Sequence, residues 1–250
     1  MKRVLITRPR RQADAFASDL RQAGFEPIFF PVIEIRPMED LRRLDVALEN
    51  LHKYAWVVFT SANAVEVVAD RLPVASGQED AALPPCAAIG PRTADAMRQR
   101  GLTPAMTPGD FISEAILPGL GAVRGKWVLL PSAEIARDVL AERIAAAGGI
   151  PHQIAVYRTL PAAPDAQGME AIRLGVDIIT FTSPSTVENF FAIMRRHGMD
   201  PLALPGRPRF ACIGPVTGAA AREAGIPDPL TADEFTTRGL IDRISSLPDR

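Results

Sequence analysis

Six short segments of the chain combine hydroxyl-bearing residues, glycines and prolines where an apolar run gives way to a helical pattern. Backbone N–H groups in the first turn of a helix lack an intrahelical acceptor and carry the positive end of the helix dipole, so they attract anions. The segments are therefore candidate binding sites for an anionic ligand. They are residues 7–9, 60–63, 90–93, 131–133, 182–185 and 214–217.

The side chains in these segments that could contact a ligand are hydroxyls, an amide and a guanidinium, together with the backbone of small residues. The predicted substrate-binding residues are Arg8, Ser61, Ala62, Asn63, Gly90, Thr93, Ser132, Ser183, Ser185, Gly214 and Thr217. An alternative is that Ser61, Ser183 and Thr93 only cap helices, and for any one of them alone this is the simpler interpretation. Recurrence in six segments favours a binding site for the set.

Tyr157 is the candidate catalytic residue, and it is one of only two tyrosines in the chain. Its phenol could donate a hydrogen bond or a proton to a bound ligand. It could instead be an aromatic side chain at the rim that bridges the core and water. Its position in the sequence leaves both interpretations open, and a Tyr157 sealed inside a core would end the case for catalysis at this residue.

Several other kinds of site are not indicated. Cys86 and Cys212 are far apart, and no cysteine or histidine pair has the spacing of a zinc site. No glycine-rich loop follows a strand as a nicotinamide or ATP site requires. His152 and His197 are expected to be solvated, so a histidine-based triad is not indicated either. A structural zinc site and a nicotinamide or ATP site are therefore disfavoured.

The composition is typical of a globular protein. Apolar residues make up 47% of the chain and the net charge is -1, which disfavours affinity based on neutralising a nucleic acid. No run approaches the ~18–20 apolar residues of a membrane span. The apolar run within residues 1–10 is too short for a signal peptide. We therefore expect a cytoplasmic protein that binds neither nucleic acid nor membrane. The sequence leaves the oligomeric state open, and a monomer is the working assumption.

An internal repeat organises the sequence. The first and third pairs of matching blocks share an offset of 124 positions, and the second pair has an offset of 122. A chance alignment would not hold one offset across two separate blocks, so the repeat predicts two similar lobes. The pairs are 4–37 with 128–161, 57–63 with 179–185, and 87–111 with 211–235.

Each block has the pattern of a strand followed by a helix. Residues 4–6 form a short apolar run, Phe16 and Leu20 follow with helical spacing, and Gly24 can end the helix in a left-handed conformation. Strands that alternate with helices are typical of parallel sheets covered on both faces. The predicted fold class is α/β, with two doubly wound parallel-sheet lobes of about five strands each.

The blocks can be shared between the lobes in two ways. A tandem arrangement puts the first three blocks in one lobe, whereas an exchanged arrangement puts both chain ends in one lobe and the middle in the other. The short connection after the third block favours exchange. The chain then crosses between lobes at residues 34–37 and 158–161, and a cleft lies between the lobes.

Taken together, the blocks resemble the uroporphyrinogen-III synthase family. Each motif alone is weak, but their order and spacing over nearly the whole chain are specific. The motifs are VLITRP (4–9), FTSANAV (59–65), IGPRT (89–93), YRT (157–159), FTSPS (181–185) and IGPVT (213–217). The resemblance implies the exchanged arrangement: lobe one from residues 1–35 and 161–250, lobe two from 38–157, and a two-stranded linker.

The resemblance also implies an activity. The family cyclises hydroxymethylbilane to uroporphyrinogen III, with inversion of the last pyrrole ring and loss of water, as a cofactor-free lyase of tetrapyrrole and heme biosynthesis. The family's tyrosine falls on Tyr157, which is thought to assist departure of the substrate hydroxyl. Transient contact with hydroxymethylbilane synthase is also expected, because the bilane is unstable.

Two other functions are compatible with a two-lobe protein. One is a small-molecule binding or sensor protein without catalysis. The other is a nucleotide-dependent transferase, which would need a phosphate loop or a pair of metal-binding carboxylates. Neither feature is visible in the sequence.

Overall fold

The computed structural model describes residues 1–72, 83–109, 116–136 and 138–247. Strands and helices alternate along most of this chain. The elements up to residue 109 are β1 (Arg3–Ile6), α1 (Arg10–Gln22), β2 (Glu26–Phe29), β3 (Ile33–Pro37), α2 (Arg42–Glu49), β4 (Tyr54–Phe59), α3 (Ala62–Arg71), β5 (Cys86–Ala88), α4 (Pro91–Gln99) and β6 (Pro104–Met106). Those that follow are β7 (Trp127–Ala133), α5 (Val139–Ala146), β8 (Ile150–Pro161), α6 (Ala166–Leu174), β9 (Ile178–Phe181), α7 (Pro184–Arg196), β10 (Arg209–Cys212), α8 (Pro215–Glu223), β11 (Leu230–Thr231) and α9 (Thr237–Ser245).

The chain divides into two compact units, one of Met1–Glu34 with Leu160–Arg250 and one of Ile35–Thr159. A five-stranded sheet has the order β11-β10-β9-β1-β2, and a six-stranded sheet has the order β3-β8-β7-β4-β5-β6. Every strand pair whose register is described is parallel. The predicted α/β class with parallel sheets is confirmed.

The first strand and helix show how the sequence pattern sets the local structure. Val4, Leu5 and Ile6 are almost inaccessible to water, because β1 is paired on both sides and covered on both faces. The buried stripe of α1 has the helical spacing seen in the sequence: Ala13, Phe16, Ala17 and Leu20. Gly24 follows the helix with a φ of 84°, in the left-handed region that glycine adopts without strain.

Each unit has helices on both faces of its sheet. Along β1, Leu5 packs with residues of α6, α7 and α8, whereas Val4 and Ile6 pack with α1 and α9. Along β4, Val57 and Phe59 face α2, α3 and α4, whereas Val58 faces α5. This alternation is the period of two expected for strand side chains. Each unit is therefore a three-layer structure in which the sheet lies between two layers of helices.

A small aromatic cluster lies where β4, β7 and β8 begin. The Tyr54 hydroxyl is 2.6 Å from Nδ1 of His152, and the two rings stack with centroids 6.0 Å apart. The Trp127 ring packs edge-on against His152, with centroids 5.9 Å apart. The expectation that His152 is solvated is therefore wrong, because its ring is half-buried and hydrogen-bonded. His197 is exposed at the end of α7, as expected.

This cluster predicts that stability depends on pH. Burial lowers the pKa of His152 below its ordinary value of 6.5, and the charge of Arg43 lowers it further. The unfolded chain therefore binds a proton at His152 more readily than the folded chain does, and stability is lost as the pH falls below about 6.5. Urea unfolding of the protein and of His152→Gln between about pH 7.5 and 5.5 should show a shallower loss in the variant. Equal slopes would contradict this prediction.

Candidate active site

In the unit built around β1, three predicted segments follow three neighbouring strands. β10, β9 and β1 lie side by side, and residues 214–217, 182–185 and 7–9 follow their respective carboxyl ends. The carboxyl ends of parallel strands meet at one edge of the sheet, where α/β proteins bind ligands. The fold therefore brings these three segments to one edge of one unit.

In the unit built around β4, the strands β7, β4 and β5 are also neighbours. Residues 60–63 follow β4 and residues 90–93 follow β5, as the sequence predicted. Both segments lead directly into helices, α3 and α4. This unit therefore presents a second strand-end edge of the same kind.

The remaining segment, residues 131–133, differs from its prediction. It belongs to β7 itself, and the next helix begins only at Val139, so the expectation that it opens a helix is wrong. Ser132 is buried, and its Oγ donates a hydrogen bond to the Ala133 carbonyl oxygen at 3.2 Å. The hydroxyl of Ser132 is thus engaged within its own strand.

Four helices begin in these segments with capping residues. Ser61 and Ser183 are the N-caps of α3 and α7, and their Oγ atoms accept hydrogen bonds from backbone N–H groups at 3.1 Å and 3.4 Å, respectively. Gly90 and Gly214 are the N-caps of α4 and α8, each followed by a proline. The capping interpretation therefore holds for the two serines. The glycines contribute no side chain, so first-turn N–H groups of α4 and α8 lack a side-chain cap.

Three buried polar side chains lie beside these helix starts. Thr93 is 5% exposed and Thr217 is 3% exposed, each three residues after its N-cap glycine. Arg8 is also 5% exposed and follows β1, and its Nη2 donates to Gln12 Oε1 at 3.2 Å. A guanidinium beside a helix start adds a fixed positive charge, which suits a carboxylate ligand.

The other candidate residues occupy the first turns of α3 and α7. Ala62 and Asn63 open α3 and are half-buried. Ser185 is also half-buried, and its Oγ lies 3.0 Å from the Oγ of Ser183. These residues combine partial exposure with a place beside helix N–H groups.

Sequence reasoning missed the threonines that hold these segments in place. Thr7 Oγ1 donates to the Thr180 carbonyl at 2.6 Å, and Thr180 Oγ1 donates to the Leu5 carbonyl at 2.8 Å, so β1 and β9 are cross-linked. Thr186 accepts from the Ser183 backbone N–H at 3.2 Å and donates to its carbonyl at 2.6 Å. A hydroxyl inside the apolar run of β9 was the signal that could have revealed Thr180.

The structure places Tyr157 in β8, with its ring inside the hydrophobic cluster between the sheet and α3. The residue is only 7% exposed, so it is not a rim aromatic in contact with water. Its hydroxyl donates a hydrogen bond to Ser61 Oγ at 3.1 Å. The phenol thus reaches the strand-end edge through the N-cap serine of α3.

Burial suppresses the chemistry of the thiols. It raises the pKa of Cys86 to about 11 and that of Cys212 to about 12, the latter partly offset by Arg222. Both thiols are therefore protonated at neutral pH and are poor nucleophiles.

Among residues 1–72, 83–109, 116–136 and 138–247, no group of three or more His, Cys, Asp or Glu side chains could hold a metal ion. No helix in the described part of the chain is long and apolar enough to cross a membrane.

The strand ends of these parallel α/β units present helix N-termini, buried hydroxyls and a guanidinium, groups whose chemistry suits an anionic ligand. A family model described as uroporphyrinogen-III synthase HemD matches residues 14–242, and the chain belongs to this family. The chain is 31% identical to a uroporphyrinogen-III synthase of Synechococcus elongatus, over 96% of this chain and 93% of that protein.

Two solved structures have similar folds. A mutant uroporphyrinogen III synthase of the extremely thermophilic bacterium Thermus thermophilus is 25% identical with a TM-score of 0.60, and the alignment covers 98% of this chain and 96% of the other. The uroporphyrinogen-III synthetase of Helicobacter pylori has a TM-score of 0.62 at 19% identity, over 99% of this chain and all of the other. The second likeness concerns the fold alone.

Proposed function

We propose that the protein is a uroporphyrinogen-III synthase, a lyase that closes hydroxymethylbilane into uroporphyrinogen III with loss of water and inversion of the last pyrrole ring. The observation that carries this proposal is the match of the family model to residues 14–242, nearly the whole chain. The enzyme acts in porphyrin and heme biosynthesis. A binding protein without catalysis is not favoured, because two relatives that match the chain over more than nine-tenths of its length, from Synechococcus elongatus and Chlorobaculum parvum, are named uroporphyrinogen-III synthases.

The proposed binding mode follows from the charge of the substrate. Each pyrrole of the bilane carries an acetate and a propionate, so the ligand presents carboxylates along its whole length. The helix starts at Ser61, Gly90, Ser183 and Gly214 offer backbone N–H groups for these carboxylates, and Arg8 adds a positive charge. Many main-chain contacts can hold a flexible ligand without a large cluster of arginines.

The proposed chemistry is mainly a problem of holding geometry. Loss of the terminal hydroxyl gives an azafulvenium-like cation, and unassisted closure joins the two ends to give the symmetric isomer. Uroporphyrinogen III requires attack at the substituted position of the last ring, followed by fragmentation and reclosure of a spiro intermediate. Binding that fixes the reacting carbons in proximity can direct this outcome. The departing hydroxyl takes up a proton and leaves as water, and Tyr157 is the proposed source of that proton.

The organisation of the lobes belongs to the same proposal. Lobe one consists of residues 1–35 and 161–250, lobe two of 38–157, and the crossings at 34–37 and 158–161 form a two-stranded linker beside a substrate cleft. The division of the chain at residues 34 and 159 and the hydroxyl-bearing strand ends in each unit support this organisation. Cytoplasmic location, a monomeric state and transient contact with hydroxymethylbilane synthase stay predictions from the sequence.

Analysis of the product isomers tests the activity directly. Purified protein incubated with fresh hydroxymethylbilane should yield uroporphyrinogen III, separated from isomer I by chromatography after oxidation to the porphyrins. A protein that only binds the bilane would leave isomer I as the sole cyclic product. That result would overturn the proposed function.

The variant Tyr157→Phe is expected to slow turnover by about 10²-fold rather than to abolish it. Positioning of the bilane by the helix starts does not depend on the phenol and should continue to direct ring closure. The rate of uroporphyrinogen III formation checks this prediction, with far-UV circular dichroism to confirm that the variant is folded. Complete loss of activity in a folded variant would contradict it.

A further inference from the structure

A β-bulge aims the Tyr157 side chain at the start of α3. The register between β7 and β8 pairs Ser132 with Ala155 and the next residue of β7 with Tyr157, so Val156 is an extra residue. Neighbouring side chains of a regular strand point to opposite faces, yet Val156 and Tyr157 belong to the same hydrophobic cluster. A bulge re-aims a side chain in this way, and it brings the Tyr157 hydroxyl to 3.1 Å from Ser61 Oγ.

The oxygen of Ser61 is fully used as an acceptor. A serine hydroxyl has two acceptor lone pairs and one proton. The lone pairs receive the Tyr157 O–H at 3.1 Å and the Ala64 backbone N–H at 3.1 Å. The hydroxyl proton of Ser61 is the remaining hydrogen-bonding group, and no hydrogen bond among the described residues uses it. Ser61 is half-buried whereas Tyr157 is nearly sealed, so the hydroxyl with access to a ligand is that of Ser61.

The internal repeat shows that this pair is not required for capping. Ser183 has the place of Ser61 in the second copy and caps α7 in the same way. The position that corresponds to Tyr157 is Ile33, which has no hydroxyl. One copy of the repeat thus has both the serine and the tyrosine hydroxyl, whereas the other has only the N-cap serine. Because a helix cap needs no tyrosine, the tyrosine and the bulge that aims it call for another role.

We propose that Ser61 is the group that delivers the proton to the departing hydroxyl of the substrate, and that Tyr157 is a positioning residue that resupplies Ser61. This inference rests on the proposed function. The C–O bond breaks with its electron pair on oxygen, and that oxygen takes the Ser61 proton and leaves as water. The Ser61 oxygen takes the Tyr157 proton, which leaves a phenolate and a substrate cation. Ring closure releases a proton from the last pyrrole, and this proton returns to the phenolate.

A double-mutant cycle tests whether the two hydroxyls act in series. The single-turnover rate of uroporphyrinogen III formation is measured for the wild type, Ser61→Gly, Tyr157→Phe and the double variant. We expect each single variant to be slower by about 10²-fold or more, and the double variant to match Ser61→Gly within about threefold. If Tyr157 contacted the substrate directly, the two effects would multiply, and that result would overturn the proposal.

Three further measurements separate this role from a structural one. Glycine is a tolerated N-cap. Ser61→Thr keeps both the cap and the hydroxyl and should retain activity, and a loss equal to that of Ser61→Gly would overturn the proposal.

Asp165→Gly is a control for the loss of a helix cap. It removes the N-cap bond to Gly168 N at 2.8 Å in α6 and should lower stability with kcat unchanged. An equal loss of kcat in this variant would show that losing any helix cap lowers kcat, and would overturn a specific role for Ser61. In mixtures of light and heavy water, the wild-type single-turnover rate should fall along a curve, because two protons move, and a straight line would overturn the relay.

The same experiments distinguish failure of the proposed function from failure of the proton relay. If the wild type forms only isomer I, the proposed function itself fails, whatever the variants do. If the wild type forms uroporphyrinogen III but the effects of Ser61→Gly and Tyr157→Phe multiply, only the relay fails. Both readouts come from the same chromatographic separation.

Discussion

Phe190→Ala is expected to lower the free energy of unfolding by about 3–5 kcal/mol, the largest loss of stability predicted for this protein. Phe190 in α7 is completely buried and packs edge-on against three other rings, with centroid distances of 6.2 Å to Phe30, 5.6 Å to Phe181 and 6.2 Å to Phe191. Truncation removes buried apolar surface and the aromatic contacts, and leaves a cavity that α7 and the sheet can only partly fill.

The measurement should be denaturant unfolding followed by far-UV circular dichroism. Both tryptophans, Trp56 and Trp127, lie in the unit Ile35–Thr159, so their fluorescence does not report on the unit that contains Phe190. Phe235→Ala is a matched control, because Phe235 is 64% exposed and its truncation should change stability by about 0.5 kcal/mol or less. A loss below about 1 kcal/mol for Phe190→Ala would contradict the prediction.

Local patterns were sufficient to predict the fold class and five of the six proposed helix starts, all except the one at residues 131–133. The buried stripe of α1, the left-handed Gly24 after it and the N-cap serines Ser61 and Ser183 all follow from residue types at short spacing. These features depend on interactions within a few residues, and they recur in both copies of the repeat. The parallel sheets then follow from the alternation of strands with helices.

The sequence could not predict features set by pairing between distant strands. The sequence pattern predicts that residues 131–133 lie beyond the strand, at a helix start, whereas they belong to β7 although proline is avoided in central strands. The register of β7 with β4 ends at Leu129, whereas the register with β8 continues to Ala133. Pro131 therefore lies where β7 is paired only with β8. The absence of its backbone N–H need not remove an inter-strand hydrogen bond. Ser132 became a buried strand residue as a result.

The orientation of Tyr157 was hidden for the same reason. The bulge at Val156 is a property of the register between β7 and β8, and no residue type near Tyr157 predicts it. Sequence reasoning therefore identified the tyrosine but left open whether it faced water. The pairing of Tyr54 with His152 was missed likewise, because its partners are brought together by neighbouring strands.

Gly214→Asp is expected to raise the KM for hydroxymethylbilane at least about tenfold, because it places a carboxylate where the proposal places a carboxylate of the substrate. Gly214 has a φ of -174°, extended backbone that any residue adopts. An added Cβ would lie 3.2 Å from the Phe235 ring, which is 64% exposed and can move aside. Aspartate is also a favourable N-cap, so α8 should not lose stability.

Gly214→Asn is the control that isolates the charge. Asparagine has nearly the same size as aspartate and caps helices about as well, so both variants meet Phe235 in the same way. The expected result is a KM close to that of the wild type for Gly214→Asn and a raised KM for Gly214→Asp, with thermal unfolding temperatures at or above that of the wild type for both. If both variants raised KM equally, the cause would be steric. The helix start at Gly214 would then not bind substrate through its positive dipole and free N–H groups, and the anion-binding role assigned to α8 would have to be abandoned.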